Sequence, residues 1–393
     1  MNEPDYHIRR LGSPDPVLPK ELDAVQRLWA HDDPFDIEGT DEVFAEAMRQ
    51  IVKWHAARCD YYSDWLRRNS FEPSMIRTVD DIVRIPFLHA NFYKTHTIKS
   101  RPDDEYVMTL TSSGTTGQKT QMFFDEWSMN ASDKSADTQF AYYGRITDVP
   151  SDFMMYSYEP APGVNTGTLR TRQMMRRYAP EHDLEYALKF DGSSHEFDLF
   201  GSIAALRRFE KDGRPARILG FPAFLYFTLE RMREMGYPPL KLNRDSLVMM
   251  GGGWKGFADR QLSPEEFREY VEERLGLPHT CCHETYGAVE HGVAYTDCDR
   301  HHLHVPIYSR VIIRDPVTLE PVEDGERGFM NVVSPMNTGV PVPSLLLGDM
   351  AVKHPAGSCG CGNDAPWFEI LGRAGTSRNR SCAIAAAEIL RRR

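Results

Sequence analysis

The stretch YVMTLTSSGTTGQKT, residues 106–120, decides the fold that we expect for this chain. Its first five residues predict a strand, and glycines alternate with Ser and Thr directly after it. Glycine lets the backbone curl so that several N–H groups converge on one anion, and the hydroxyls add further donors. A helix predicted from Glu126 would add its positive end. The stretch therefore predicts a strand–loop–helix unit that binds phosphate, although a flexible Ser/Thr/Gly linker has the same composition. It is not a Walker loop, because G-x-x-x-x-G-K-[ST] is absent.

Two further apolar segments end in comparable turns. They are SLVMMGGGWKG (246–256) and HTCCHETYGAVEHG (279–292), and RILGF (217–221) reads as another buried strand. Helices are predicted over 41–58, with Thr40 or Asp41 as N-cap, over 194–211, and from the capping box Ser263-Pro264-Glu265-Glu266 to about Leu275. Strands that alternate with helices indicate a mostly parallel sheet. From about His302 to Leu371 short β segments separated by Pro and Gly predict a β-rich subdomain instead.

Several residues at these strand ends suit the binding of a nucleotide, the glycines because they lack a side chain and the others through their polar side chains. Gly251 and Gly252 leave room for a flat ring against the backbone, although a plain turn would also use glycine. Tyr286 and Glu290 follow a strand at the edge where α/β sheets bind ligands. The Glu290 carboxylate suits Mg²⁺ beside phosphate oxygens, unless it is a solvated surface group. Asp349 follows an apolar strand and can bind both hydroxyls of a ribose, or equally cap a turn.

Composition limits the classes of function. The chain has 393 residues and a formal charge of −11, which argues against a general nucleic-acid surface. The start MNEPDYHIRR has no apolar stretch typical of a secretory signal. The most apolar run, 218–229, is too short to span a bilayer and contains Pro222. We therefore expect no membrane span and a cytoplasmic protein.

Four residues form a candidate zinc site. Cys298 and His304 lie in DCDRHHLH, and Cys359 and Cys361 form a CxC pair in SCGCGN. Three cysteines and one histidine are a standard tetrahedral set for structural zinc, which would hold the loops of the β-rich subdomain together. His301 or His302 can replace His304 as the ligand. The alternative is four unrelated residues, since CxC is less diagnostic than CxxC. Cys59, Cys281 and Cys282 read as ordinary buried thiols.

In their order along the chain, the motifs resemble those of the adenylate-forming acyl- and aryl-ligases. That superfamily's phosphate loop, YGxTE-like motif, TGD-like aspartate and GR hinge motif match 111–120, 286–290, 348–349 and 372–373. Within it the chain is similar to the acyl-protein synthetases of bacterial bioluminescence (LuxE-like), through TSSGTTG, GGGWK, YGAVEHG and GRAGTSRNRSCAIAAAEIL. Some aryl-CoA ligases of the phenylacetate type also resemble it in a Cys/His…CxC zinc site.

The resemblance assigns roles to individual residues. Gly251, Gly252 and Tyr286 would border the adenine of ATP, Glu290 would hold Mg²⁺, Asp349 would bind the ribose, and Arg373 would lie at the hinge near the nucleotide. The residues that would surround the ATP phosphates are Ser112, Ser113, Gly114, Thr115, Thr116 and Gly117. Relatives often end this loop in Pro-Lys, where this chain has Lys119 and Thr120, so Lys119 is not given the role of the family lysine.

The resemblance also implies an acyl acceptor. Cys382 occupies the place of the cysteine that takes the acyl group in acyl-protein synthetases. Arg378, Arg380 and the start of a terminal helix would lower the pKa of its thiol. A thiolate that attacks acyl-AMP forms a thioester, from which a partner such as an acyl reductase takes the acyl group. The alternative is a small packing residue on an alanine-rich helix.

Together these observations predict an α/β fold. We expect a large adenylation domain of stacked α/β subdomains with a β-rich subdomain, whose C-terminal small domain is missing or vestigial. The expected parts are an N-terminal helical region (1–84), an α/β nucleotide- and acid-binding core (85–300), the β-rich subdomain (301–371), and the hinge motif with the C-terminal tail (372–393).

The expected function is ATP-dependent activation of a carboxylic acid, fatty or aromatic, with transfer through the cysteine to another acyl acceptor protein. One alternative is direct transfer from acyl-AMP to an amine, an alcohol or CoA. The other is a non-catalytic nucleotide-binding protein, against which the hydroxyls of the loop, Glu290 and Asp349 argue.

Overall fold

The computed structural model describes residues 6–111, 120–161, 166–254, 257 and 260–374, in two compact units. The first unit contains Tyr6, Tyr143–Tyr286 and Thr296–His301. The second contains His7–Tyr142, Gly287–Tyr295 and the described residues from His302 onward. Among these residues no helix has the length and apolar character needed to cross a membrane. The domain boundaries expected from the sequence remain predictions.

The first unit is built on a mainly parallel sheet. Its strands are β4 (Ser151–Tyr158), β5 (Glu181–Phe190), β6 (His195–Phe197), β7 (Ala216–Gly220), β8 (Leu247–Gly251) and β9 (Cys282–Tyr286). They are ordered β9-β8-β7-β4-β5-β6, and only β6 runs antiparallel to its neighbour. Every residue of β7 and β8 is buried, as expected for a parallel sheet covered on both faces.

Four helices accompany this sheet: α5 (Gly167–Met175), α6 (Leu199–Asp212), α7 (Pro222–Glu234) and α8 (Pro264–Leu275). The predicted capping box of α8 is confirmed, because Ser263 and Glu266 bond reciprocally to each other's backbone. The helix predicted from 194 begins only at Leu199, since Asp198 caps it through the Gly201 amide and the preceding residues form β6. The strand predicted at 217–221 is confirmed as β7.

The second unit contains a mostly antiparallel sheet of β1 (Leu88–His89), β11 (Leu303–His304), β12 (Arg310–Arg314), β13 (Arg327–Val333), β14 (Ser344–His354) and β15 (Trp367–Arg373). Its order is β11-β15-β14-β13-β12, and β1 adds to β14 in parallel. The predicted β-rich character of this segment is confirmed. Strand β10 (Tyr295–Thr296) lies between β9 and β11 along the chain and is not part of this sheet.

The helices of the second unit are α1 (Asp23–Trp29), α2 (Ile37–Ala56), α3 (Asp60–Arg68) and α4 (Glu126–Tyr142). The cap predicted for α2 is wrong: Asp36 is the N-cap and accepts the Gly39 amide at 2.9 Å. Thr40 lies one turn inside the helix, where its hydroxyl donates to the Asp36 carbonyl at 2.7 Å.

The setting of the predicted phosphate loop also differs from the expectation. Strand β2 (Tyr106–Thr111) pairs antiparallel with β3 (Gln121–Asp125), so that residues 112–119 connect two strands of a hairpin. Helix α4 begins at Glu126, after β3, because the alternating residues of β3 pair with β2 instead of extending the helix. The predicted strand (β2) and the helix predicted from Glu126 (α4) are confirmed, but β3 lies between the loop and the helix, so the positive end of α4 does not directly follow the loop.

Candidate active site

The predicted phosphate-binding residues Ser112, Ser113, Gly114, Thr115, Thr116 and Gly117 lie outside the described residues, and so does Cys382. The structure describes the two ends of the loop, since Thr111 of β2 is the register partner of Gln121 of β3. The roles of these seven residues remain predictions from the sequence.

The glycine turn after β8 lies at the carboxyl edge of the parallel sheet. Gly251 is the last residue of β8, and a Cβ built on it would lie 2.6 Å from the Thr285 hydroxyl and 2.9 Å from Arg172 Nη2. Gly252 has φ +81°, which is in the left-handed region that favours glycine. Close packing at Gly251 and the turn at Gly252 therefore favour glycine at these two positions, whether or not a ligand also lies there.

Tyr286 ends β9 at this same edge of the first unit, and Glu290 follows in the second unit. The Glu290 side chain is buried, with 8% of the residue exposed. Its carboxylate has no hydrogen bond or ion pair among the described residues. A carboxylate without protein partners can bind a cation, and the role of Glu290 in holding Mg²⁺ remains a prediction.

Asp349 and Arg373 are brought together within the second unit. They are register partners on the antiparallel strands β14 and β15. Directly opposed residues of such a pair have Cβ atoms about 4.5–5.5 Å apart. The predicted ribose-binding carboxylate and the predicted hinge arginine thus lie opposite each other on neighbouring strands of one sheet, although 23 residues lie between them in the sequence.

Three of the four predicted zinc ligands also meet within the second unit. His304, Cys359 and Cys361 each have a ligand atom within 4.8 Å of the others, and His304 Nε2 lies 3.3 Å from Cys361 Sγ. His304 Nδ1 lies 2.8 Å from the Ala365 carbonyl, to which it donates, so Nε2 is free to coordinate. Burial lowers the pKa of His304 to about 4, which keeps the imidazole neutral as a metal ligand requires.

The two alternative histidines have other neighbours. His302 Nδ1 lies 3.1 Å from Cys359 Sγ, and its ring stacks on Trp367 with centroids 3.6 Å apart. His301 belongs to the first unit, where its Nδ1 lies 3.4 Å from an Asp297 carboxylate oxygen. Cys298 is buried in the first unit as well, and its Sγ accepts the Arg300 amide at 3.4 Å.

The first unit contains a histidine group that the sequence did not predict. His283, Asp297 and His301 have ligand atoms within 4.8 Å of one another. Arg145 accompanies them, with Nη1 3.6 Å from the Asp297 carboxylate and Nη2 2.6 Å from the Asp297 carbonyl. Burial alone would raise the pKa of Asp297, but hydrogen bonds with both histidines and the charge of Arg145 hold it at about 2. Because Arg145 already neutralises the carboxylate, this group is an internal ion-pair network of the first unit.

Sequence reasoning also missed Arg172. It lies on α5 beside Gly251 and is only 2% exposed. In the sequence it is one of four arginines in LRTRQMMRR (169–177), and nothing in that run distinguishes it from the others.

Comparison with solved structures defines the class of fold. The chain is similar to 2-hydroxyisobutyryl-CoA ligase in the postadenylation state with R3-HIB-AMP, with a TM-score of 0.65 and 15% identity over 99% of this chain and 80% of that chain. The open conformation of that ligase, with 2-HIB-AMP and CoA, has a TM-score of 0.64 and 16% identity over 88% and 78% of the two chains. The predicted α/β fold of an adenylate-forming ligase is confirmed.

Sequence comparison identifies the family. The family model described as acyl-protein synthetase, LuxE, matches residues 20–391, and the chain belongs to this family. Two relatives are long-chain-fatty-acid–luciferin-component ligases. The one from Vibrio harveyi is 25% identical over 79% of each chain, and the one from Aliivibrio fischeri is 23% identical over 91% of each chain. The chain is accordingly an ATP-dependent, AMP-forming carboxylate ligase that forms an acyl-AMP and transfers its acyl group.

Proposed function

We propose that this chain activates a long-chain fatty acid as its acyl-AMP, passes the acyl group to Cys382, and delivers it to a protein acceptor in the cytoplasm. The observation that carries the proposal is the family match over 20–391, which includes both the loop motif and the cysteine. The names of the two bacterial relatives support a long-chain fatty acid and a protein component as substrates. The acceptor would be an acyl reductase or a protein of comparable chemistry.

Each predicted nucleotide contact has a proposed role in adenylation. The loop hydroxyls bind the phosphates, Gly251, Gly252 and Tyr286 border the adenine, and Asp349 binds the ribose. Glu290 holds Mg²⁺, which neutralises charge on the phosphates. The acid carboxylate then forms a bond to the α-phosphorus while the bond to pyrophosphate breaks. Positioning and charge neutralisation account for most of the rate of such a step.

The described cysteines support Cys382 as the acyl acceptor. Burial raises the pKa of the Cys59, Cys281 and Cys282 thiols, which lowers their thiolate fraction and their reactivity. Cys298, Cys359 and Cys361 are proposed below as zinc ligands. Cys382 follows Arg378 and Arg380 in the sequence, and nearby cations favour the thiolate that attacks acyl-AMP.

We further propose a structural zinc ion held by His304, Cys359 and Cys361, with Cys298 as the fourth ligand. Two of these cysteine sulfurs accept hydrogen bonds from backbone amides. The Arg300 amide lies 3.4 Å from Cys298 Sγ, and the Asn363 amide lies 3.4 Å from Cys361 Sγ. Such hydrogen bonds to ligand sulfurs stabilise their negative charge.

ATP–pyrophosphate exchange over a panel of carboxylic acids tests the proposed function. We expect exchange with long-chain fatty acids and weaker exchange with short and aromatic acids. Strong exchange with an aromatic acid alone would overturn the proposed substrate class. Exchange with no acid, together with measurable ATP binding, would favour a non-catalytic nucleotide-binding protein.

Glu290→Gln is expected to lose exchange activity at ordinary Mg²⁺ and to recover part of it at higher Mg²⁺. The substitution keeps the shape of the side chain but removes the charge that holds the ion. The measurement is the exchange rate as a function of Mg²⁺ concentration. Glu323→Gln, an exposed carboxylate in the second unit, is the matched control and should behave as wild type. Unchanged Mg²⁺ dependence in Glu290→Gln would leave Glu290 without a role in metal binding.

Protein purified without chelator is expected to contain about one zinc ion per chain, as a four-ligand structural site requires. Cys359→Ser should lower both the zinc content and the unfolding temperature, because metal binding contributes to folding. Metal analysis and thermal unfolding measure the two effects. The control is Cys59→Ser, a buried thiol of the second unit, which should keep its zinc. A zinc-free wild type that is as stable as Cys359→Ser would count against the site.

A further inference from the structure

Arg172 is a buried cation that no described carboxylate neutralises. Its guanidinium has only two contacts at hydrogen-bond distance, from Nη1 to Met175 Sδ at 3.2 Å and from Nη2 to the Gly220 carbonyl at 3.5 Å. The first acceptor is a weak thioether and the second distance is long. Its Nε is buried with no partner in the described part of the chain.

Arg145 is a buried arginine of the same unit that does have a carboxylate partner. It is as buried as Arg172, but it contacts the Asp297 carboxylate and donates to the Thr296 hydroxyl at 2.6 Å. Burial lowers the pKa of Arg172 to about 10, so its guanidinium stays charged at neutral pH. A buried charge without an anionic partner is strongly unfavourable, so Arg172 is suited to bind an anion at this place in the sheet.

The location of Arg172 indicates which anion. Nη2 lies beside Gly220 and Gly251, the last residues of β7 and β8, and the Thr285 hydroxyl near the end of β9 approaches the same point. This is the carboxyl edge of the parallel sheet, where α/β sheets bind ligands. Ser157, near the end of β4, is fully buried, and its hydroxyl has no partner among the described residues. Among the described residues, this edge therefore has a cation without a carboxylate partner and a hydroxyl without a hydrogen-bond partner.

We infer that Arg172 binds the reacting carboxylate of the acid substrate and orients it for adenylation. The inference rests on the proposed function and deepens it. The charge of Arg172 offsets that of the carboxylate as it approaches the polyphosphate. One carboxylate oxygen forms the bond to the α-phosphorus, pyrophosphate leaves with the electrons of the broken P–O bond, and no proton is transferred. Gly251 keeps the space beside the guanidinium open, because a side chain there would collide with it.

Arg172→Gln is expected to raise the KM for the acid about 10- to 100-fold, the range for losing a hydrogen bond to a charged group. The KM for ATP should stay unchanged, and Arg172→Lys should restore part of the affinity for the acid because it retains the charge. The measurement is ATP–pyrophosphate exchange with each substrate varied in turn. Arg217→Gln is the matched control, because Arg217 is also buried but lies near the start of β7, at the opposite end of the strand. It should leave the KM for the acid unchanged.

Thermal unfolding distinguishes a role of Arg172 in binding the substrate from a role in packing the fold. Arg172→Met removes a charge that the described chain leaves unpaired, so it should unfold at or above the temperature of wild type. A large drop would make Arg172 a packing residue and overturn the inference. An increase in the KM for ATP alone would assign Arg172 to the nucleotide phosphates, and loss of activity only toward dicarboxylic acids would assign it to a distal carboxylate. Either result overturns the inference while leaving adenylation intact. A wild type that exchanges with no acid would remove the proposed function itself.

Discussion

Incubated with ATP and a labelled long-chain acid, the wild-type chain is expected to retain label that survives denaturation and that hydroxylamine releases. This is the behaviour of a thioester at Cys382, formed when the thiolate attacks the acyl-AMP. Cys382→Ser should abolish the releasable label altogether. The same variant should still catalyse ATP–pyrophosphate exchange, because adenylation precedes the step that needs the thiol.

Cys281→Ser is the control for this experiment, since Cys281 is a partly exposed thiol in the first unit and burial raises its pKa. It should label as wild type does. Equal labelling of wild type and Cys382→Ser would place the acyl group elsewhere. A wild type that exchanges pyrophosphate but never retains label would instead favour direct transfer of the acyl group to an amine, an alcohol or CoA.

The double variant Thr115→Val/Thr116→Val is expected to lower the exchange rate on the order of 10²-fold or more, the scale for losing preorganised donors to a developing charge. Helix α4 follows the loop only after β3, so the helix does not begin directly after the loop in the chain. The loop's own hydroxyls and N–H groups are therefore the expected protein donors to the departing pyrophosphate, beside the Mg²⁺ proposed at Glu290. The measurement is the exchange rate at saturating acid and ATP.

Thr109→Val is the matched control for the loop. Thr109 lies in β2, where it pairs with Phe123 of β3, and valine has a similar shape and a high strand propensity. Its exchange rate should equal that of wild type. If the double variant in the loop also exchanged normally, the phosphate-binding role of 111–120 would be wrong.

Local patterns correctly predicted much of the scaffold. The apolar runs that became β7, β8 and β9 ended at the predicted turns, and the Ser263 capping box began α8 as expected. These features depend on hydrogen bonds and burial within a few residues, so a short window of sequence contains the information. The order of four motifs along the chain was sufficient to identify the family.

Errors arose where a local pattern suited two structures. QMFFD after the loop was not predicted as a strand, because only its pairing with β2 across the loop identifies it as one. The α2 cap was assigned to Thr40 or Asp41 because both are good caps, whereas the helix begins a turn earlier at Asp36. The strand depends on pairing with another segment, whereas the cap is a local choice between neighbouring residues, made by the Asp36 side chain and the Gly39 amide.

The sequence by itself determined the class of chemistry, the family, and most residues expected to bind ATP. It did so because loop glycines, hydroxyls and strand-end carboxylates are needed at fixed positions within short motifs. The tertiary structure decided that His304 is the histidine that contacts Cys361, and that Asp349 and Arg373 are opposite each other on neighbouring strands. It also decided that, of the four arginines in 169–177, Arg172 is the one that lies beside Gly251, where no described carboxylate pairs with it. These pairings join residues far apart in the chain. They depend on strand order and register, which no single segment of sequence encodes.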